Sequence, residues 1–180
     1  QAQIREGLET RQFEPFFQPQ VEGRSGKLVG IESLARWNHP LRGLLTPFHF
    51  LNAAEEAGLL EQLDRYLVDQ SFSAMRGWLN DGLRIPKISI NLSAARLLEV
   101  DLVDSLMFAA DKAELQPTLI GVEILESAMI DNGSRLMIEK PRSTSSSWFY
   151  QSFLGTLKTT CKGKKIMSSP SVASMSASKQ

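Results

Sequence analysis

Polar and apolar positions along the chain change period several times, and each change predicts an element. Residues 1–12 form a short amphipathic lead-in, and Phe13 to Val21 (FEPFFQPQV) an aromatic-rich strand ended by Gly23 and Gly26. Leu28 to Trp37 alternates as a second strand, with Glu32, Leu34 and Arg36 on one face and Ile31, Ser33 and Ala35 on the other. A loop rich in Pro and Gly is expected from Asn38 to Thr46. Thr46-Pro47 then opens a helix expected to run to about Gly58. A longer helix places Leu60, Leu63, Leu67, Met75 and Trp78 near one stripe and stops at Asp81-Gly82. Ile85 to Leu92 alternates as a strand, Ala94 to about Glu114 is helical in pattern, Pro117 breaks it, and Leu119 to Leu125 is a β-branched-rich strand. Strand, helix, strand, helix, strand is the cadence of a parallel α/β sheet.

The cadence ends near residue 140, and composition changes there. The 180 residues have a formal net charge of +0, but residues 1–140 carry 14 Lys+Arg against 20 Asp+Glu, and residues 141–180 carry 6 against none, with 11 Ser. The chain is therefore divided into a domain over 1–140 and a Ser/Lys-rich tail over 141–180. The tail has one apolar patch, Trp148 to Leu157, and a final stretch with the composition of disorder. A change of reading frame near codons 134–141 would produce such a tail.

Several function classes drop out. No apolar run reaches the roughly 18 residues of a membrane span, and the opening QAQIREGLETR has no apolar signal segment, so a cytoplasmic location is expected. Cys161 is the single cysteine and lies far in sequence from His39 and His49, which excludes a Cys/His zinc site and an internal disulfide. The two histidines suit loop or surface positions better than ligation. Asn-Leu-Ser at Asn91 and Asn-Gly-Ser at Asn132 fit a glycosylation pattern only in a secreted chain. Lys162, Lys164 and Lys165 are read as solvated, and no DNA partner is expected.

Candidate chemistry lies elsewhere. Glu32, Asn91 and Glu123 each sit near the C-terminal end of a predicted strand, the edge where α/β folds build their sites. Oxygen ligands of this type suit Mg²⁺ or Mn²⁺. The bland alternative for each is a solvated strand carboxylate or amide.

Five words in order tip that balance: FFQPQV (Phe16 to Val21), GIESLARWNHP (Gly30 to Pro40), LNAAEEAGLL (Leu51 to Leu60), INLS (Ile90 to Ser93) and VEILES (Val122 to Ser127). Over residues 1 to about 131 the chain resembles the N-terminal half of an EAL domain, the cyclic-di-GMP phosphodiesterase family of bacterial signalling. The resemblance implies a TIM-like (β/α) barrel whose first strand runs antiparallel, of which this chain supplies about four strands. It also implies a site for two Mg²⁺ or Mn²⁺ ions. By the same resemblance Glu32, Asn91 and Glu123 are metal ligands, Gln18 lines the substrate site, Arg36 contacts a phosphate, and Glu126 holds a catalytic loop. Ser33 stands where the family name has alanine, and Leu125 replaces a usual threonine. The substrate implied is cyclic di-GMP, opened to the linear dinucleotide, and EAL domains commonly pair as homodimers.

The family's paired aspartates, catalytic lysine and a later glutamate would follow residue 140, where this sequence has no acid at all. Two readings follow. One is a phosphodiesterase domain represented by its first half. The other is a degenerate remnant that binds a nucleotide or a protein without catalysis.

Overall fold

The computed structural model describes residues 2–93, 96, 101–124, 137–138 and 167–168. Its main sheet has five strands: β1 (Phe13–Val21), β2 (Leu28–His39), β3 (Gly43–Leu45), β4 (Ile88–Leu92) and β5 (Ile120–Ile124). The order is β1-β2-β4-β5, with β3 paired to β2. β1 is antiparallel to β2, and β2, β4 and β5 are parallel. Helices α1 (Ala2–Glu9), α2 (Leu51–Glu56), α3 (Leu60–Asn80) and α4 (Leu102–Lys112) complete the described body. Two further two-residue strands, β6 (Met137–Ile138) and β7 (Met167–Ser168), pair in parallel. They are the only described part of the chain after Ile124, so Glu126 and the Trp148 to Leu157 patch lie outside the described residues.

Strand alternation divides the sheet into two unlike faces. Ile31, Ile88, Ile90, Leu92, Ile120 and Val122 point outward and are buried against Val68, Phe72 and Met75 of α3 and Leu102, Leu106 and Ala110 of α4. Covering a parallel sheet with its crossover helices is the usual way such strands leave water. A second core closes the other end, where α1 and α2 surround Phe13, Trp37 and Phe50. Phe13 stacks on Trp37 at 4.9 Å and meets Phe50 edge-on at 5.3 Å. Gly7 lets α1 come this close, since a Cβ there would lie 2.9 Å from the Phe13 ring.

The structure differs from expectation in five places. The segment after Thr46-Pro47 is not one helix: a 3-10 turn at Pro47–His49 is followed by a break at Phe50 and then α2. Phe50 is only 1% exposed, so burying its ring in the aromatic core sets the break. The Thr46 hydroxyl bonds His49 Nδ1 at 3.1 Å and caps nothing. The expected loop from Asn38 contains β3, which pairs with the end of β2. Strand β4 begins at Ile88, two residues after Pro86, whose ring nitrogen has no proton to give the ladder. Of the helix expected from Ala94, α4 is the described part after a turn at Asp101, and it ends at Lys112, two residues before Glu114, which takes a left-handed φ of 53°. His39 is no surface residue: it is 4% exposed, packs on Trp37 at 4.7 Å, and its Nδ1 accepts the Leu41 N–H.

A buried hydroxyl pair ties α3 to β2. Ser71 Oγ donates to the Leu67 carbonyl at 2.6 Å, which spends its only proton, so the 2.7 Å contact with Ser33 Oγ must be donated by Ser33. The serine of the ESL word is thus a donor with one buried acceptor. Ser71→Ala strands that donor and is expected to cost about 1–3 kcal/mol, whereas Ser33→Ala removes the donor itself and should cost less than about 1 kcal/mol. Urea unfolding of both variants and the double variant checks this. The double variant should recover most of the Ser71→Ala loss, and a larger loss for Ser33→Ala than for Ser71→Ala would reverse the donor assignment.

Candidate functional site

The face of the sheet away from α3 and α4 carries the polar side chains. Gln18 of β1 lies directly opposite Glu32 of β2 in the antiparallel register, and Glu14 opposite Arg36. In the parallel register Glu32 aligns with Ser89, and Asn91 with Glu123. These pairings set Gln18, Glu32, Asn91 and Glu123 side by side across four strands, as a strand period of two requires.

Asn91 is the bridge between β2 and β4. Its Nδ2 donates to Glu32 Oε1 at 3.0 Å and to the Ser33 carbonyl at 3.2 Å. Both partners are acceptors, so the amide nitrogen must face β2, and the amide oxygen is left free of that contact. Glu32 is not at the end of its strand: β2 continues to His39, and its last residues pair with β3. It sits instead in the short stretch where β2 pairs with β4, from Ile31 to Ser33, and this brings it beside Asn91. Glu32, Asn91 and Glu123 are all half-buried.

Arg36 lies on the same face, two side chains beyond Glu32. Its Nη1 donates to the Ala35 carbonyl at 2.7 Å and its guanidinium lies 5.6 Å from the centre of the Phe16 ring, which is 40% exposed. An arginine held over an aromatic ring keeps its remaining donors directed at solvent, where an anion could be met. Gln18 is exposed beside Glu32. Below this layer the stem of Lys87 lies across Gly121, in space that a Cβ on Gly121 would fill.

The sequence of the chain matches the model of the EAL domain family over residues 1–142. The chain belongs to the EAL domain family. It is 39% identical over 136 residues to "Bifunctional diguanylate cyclase/cyclic di-GMP phosphodiesterase MucR" of Pseudomonas aeruginosa, covering 75% of this chain and 20% of that protein. It is 30% identical over 129 residues to "Cyclic di-GMP phosphodiesterase PdeR" of Escherichia coli, covering 72% and 19%. The chain thus spans about a fifth of the length of these relatives. The solved structure described as "PaMucR Phosphodiesterase, c-di-GMP complex" superposes with a TM-score of 0.68 at 32% identity, over 79% of this chain and 63% of that one. The described part of this chain is a partial TIM-like barrel, with an antiparallel first strand followed by parallel strands and outer helices.

Two buried charges of this EAL domain, Asp64 and Arg96, were not foreseen from the sequence. Asp64 of α3 is 8% exposed and its Oδ2 accepts the Ser93 N–H, two residues past Asn91, at 3.2 Å. Arg96, 1% exposed, lies near enough to favour its charge. The available signal was an acid amid the apolar run of α3, which in sequence looks like any solvated helix position. Burial pushes the Asp64 carboxyl above its ordinary value of 3.8, while hydrogen bonding by Ser93 and the Arg96 charge pull it back only in part.

A carboxyl raised in this way binds more protons in the folded state than in the unfolded one. Its contribution to stability therefore falls as pH rises from 3.8 through the raised folded value, and is level above it. Asp64→Asn removes that slope. The wild-type minus variant stability should drift in favour of the variant across this window and then flatten, which urea midpoints at a series of pH values starting below 3.8 would record. A difference that ignores pH would mean that the folded carboxyl titrates normally.

Proposed function

We propose that residues 1–140 are the first half of a cyclic-di-GMP phosphodiesterase domain, and that residues 141–180 are a tail foreign to it. The observation that carries this is the Asn91 to Glu32 hydrogen bond with Glu123 in register beside it, in a chain of the EAL family. Two carboxylates and an amide oxygen in one layer are the donor set of a hard divalent cation, so the residues fit Mg²⁺ or Mn²⁺. Glu32, Asn91 and Glu123 would hold the ion. When bound in a pair, such ions activate water and stabilise the leaving oxygen of a phosphodiester.

Other inner-face residues take the substrate in this reading. Arg36, steadied on Phe16, offers its guanidinium to a phosphate of the dinucleotide, and Gln18 lines the same side next to Glu32. Glu126, outside the described residues, keeps the loop-holding role that the resemblance implies. The compartment is the bacterial cytoplasm, and pairing of two copies belongs to the same proposal.

The 180-residue chain by itself is expected to bind rather than hydrolyse. Residues 140–180 contain no Asp or Glu, and a full set of about six oxygen ligands cannot come from two carboxylates and one amide without water. Losing a charge-stabilising group from such a site costs about 3–4 kcal/mol of transition-state stabilisation, and each 1.4 kcal/mol or so is tenfold in rate. With Mn²⁺ and cyclic di-GMP supplied, linear product should not exceed that of a Glu32→Ala control. A Mn²⁺ titration should show weak binding that Glu123→Gln weakens further. Identical titration curves would remove Glu123 from the site, and product well above the control would return the chain to the enzymes. The binding-only remnant is favoured over the enzyme for this chain by the same acid-free stretch.

A further inference from the structure

Helix α3 touches the ligand strands from behind at two points. Asp64 and Ser71 are seven residues apart, two turns along one stripe, in a helix whose neighbouring Val68, Phe72 and Met75 are core. Ser71 receives Ser33, the residue after Glu32. Asp64 receives the N–H of Ser93, the second residue after Asn91. Both strands are therefore fastened to one helix next to a residue of the inner face.

The Ser93 contact falls where the ladder stops. Leu92 is the last residue of β4 and the pairing with β2 already ends at Ser33 opposite Ile90, so among the described residues the Ser93 N–H lies past the end of the ladder on the β2 side. Its acceptor is a carboxylate almost out of water. Burying a carboxylate is costly, and an apolar side chain of similar volume in this core would stabilise the helix more. What the carboxylate supplies and an apolar residue cannot is a fixed acceptor for a strand end. Leu92, 1% exposed and between the two, is itself held by the core, so the backbone that carries Asn91 is pinned by packing and then by the hydrogen bond.

We propose that Asp64 is a positioning residue for Asn91, holding the chain at Ser93 so that the Asn91 amide keeps its nitrogen on Glu32 and its oxygen free for a cation. The cation rests on the function proposed above; the placement of the amide does not. Arg96 belongs to the same device, since it lies beside Asp64 and its Nη2 donates to Ser105 Oγ of α4 at 3.4 Å, an oxygen that also accepts Arg65 Nη1 at 2.7 Å. The anchor of β4 is thus shared by both outer helices.

The test uses the full 180-residue chain labelled with ¹⁵N, read by the side-chain amide signals of Asn91 and by Mn²⁺ titration. Asp64→Ala should shift the Asn91 amide pair and speed its exchange with solvent, and should lower Mn²⁺ affinity by about tenfold or more. Asp64→Asn, which retains an acceptor for the Ser93 N–H, should return both readouts towards wild type. Ser71→Ala, on the same stripe but bound to β2, should leave the exchange of the Asn91 pair much as in wild type. If Asp64→Ala does not fold, the double variant with Arg96→Met removes the buried charge left behind and is measured instead. Unmoved Asn91 signals in the alanine variant, or equal shifts in the alanine and asparagine variants, would overturn the proposal. A shifted amide in a chain that takes up no Mn²⁺ even as wild type would keep the positioning role and discard the metal site.

Discussion

The parallel pairing of β2 with β4, only three residues long in register, is the constraint on which the rest of this chain depends. Within those residues Ile31 and Ile90 turn to the helices, while Glu32 turns the other way to meet Asn91. A slip of one residue would exchange the faces, sending the glutamate into the core of α3 and the isoleucines to the open side. Burial of Ile31, Ile88, Ile90 and Leu92 against Phe72, Met75 and Leu106 therefore does more than hold the sheet together. It selects the register that assembles the inner face.

Polar contacts then refine what apolar burial selects. The hydroxyl pair Ser33–Ser71 and the Asp64 to Ser93 hydrogen bond lie on the helix side, one behind β2 and one behind β4. Each is buried, so each is satisfied or costly, and neither tolerates a shift of the helix along the sheet. The departure from the family word at Ser33 falls within this arrangement: the hydroxyl found an acceptor on α3 and did not remain an orphan in the core.

The inner face has the opposite character. Gln18, Glu32, Arg36, Asn91 and Glu123 are exposed or half-buried, and the ring of Phe16 lies open under the Arg36 guanidinium. In a closed barrel such a face is enclosed by the remaining strands. Here the described sheet of β1-β2-β4-β5 encloses it on one side only. Residues 141–180 contain no Asp or Glu, so any carboxylate on this face comes from the first 140 residues.

Much of this was legible in the residues themselves. Period-two alternation marked β1 and β2 nearly to their ends, the Leu60 to Trp78 stripe marked α3, and five words in order pointed to the family that the comparisons bear out. Local sequence suffices there because strand and helix periods are properties of consecutive residues, and because the words that mark the family lie largely on the strands themselves. Hairpin strand β3, the break at Phe50 and the buried state of His39 were decided by the aromatic core around Phe13 and Trp37, whose members are far apart in the chain. Asp64 is the sharpest case: on a helix it looks like any exposed acid, and only the packing of α3 against the end of β4 brings it to the Ser93 N–H and out of water. Alternation and composition decide which face of a strand is apolar, but hydrogen bonds between residues dozens of positions apart exist only once the elements have packed.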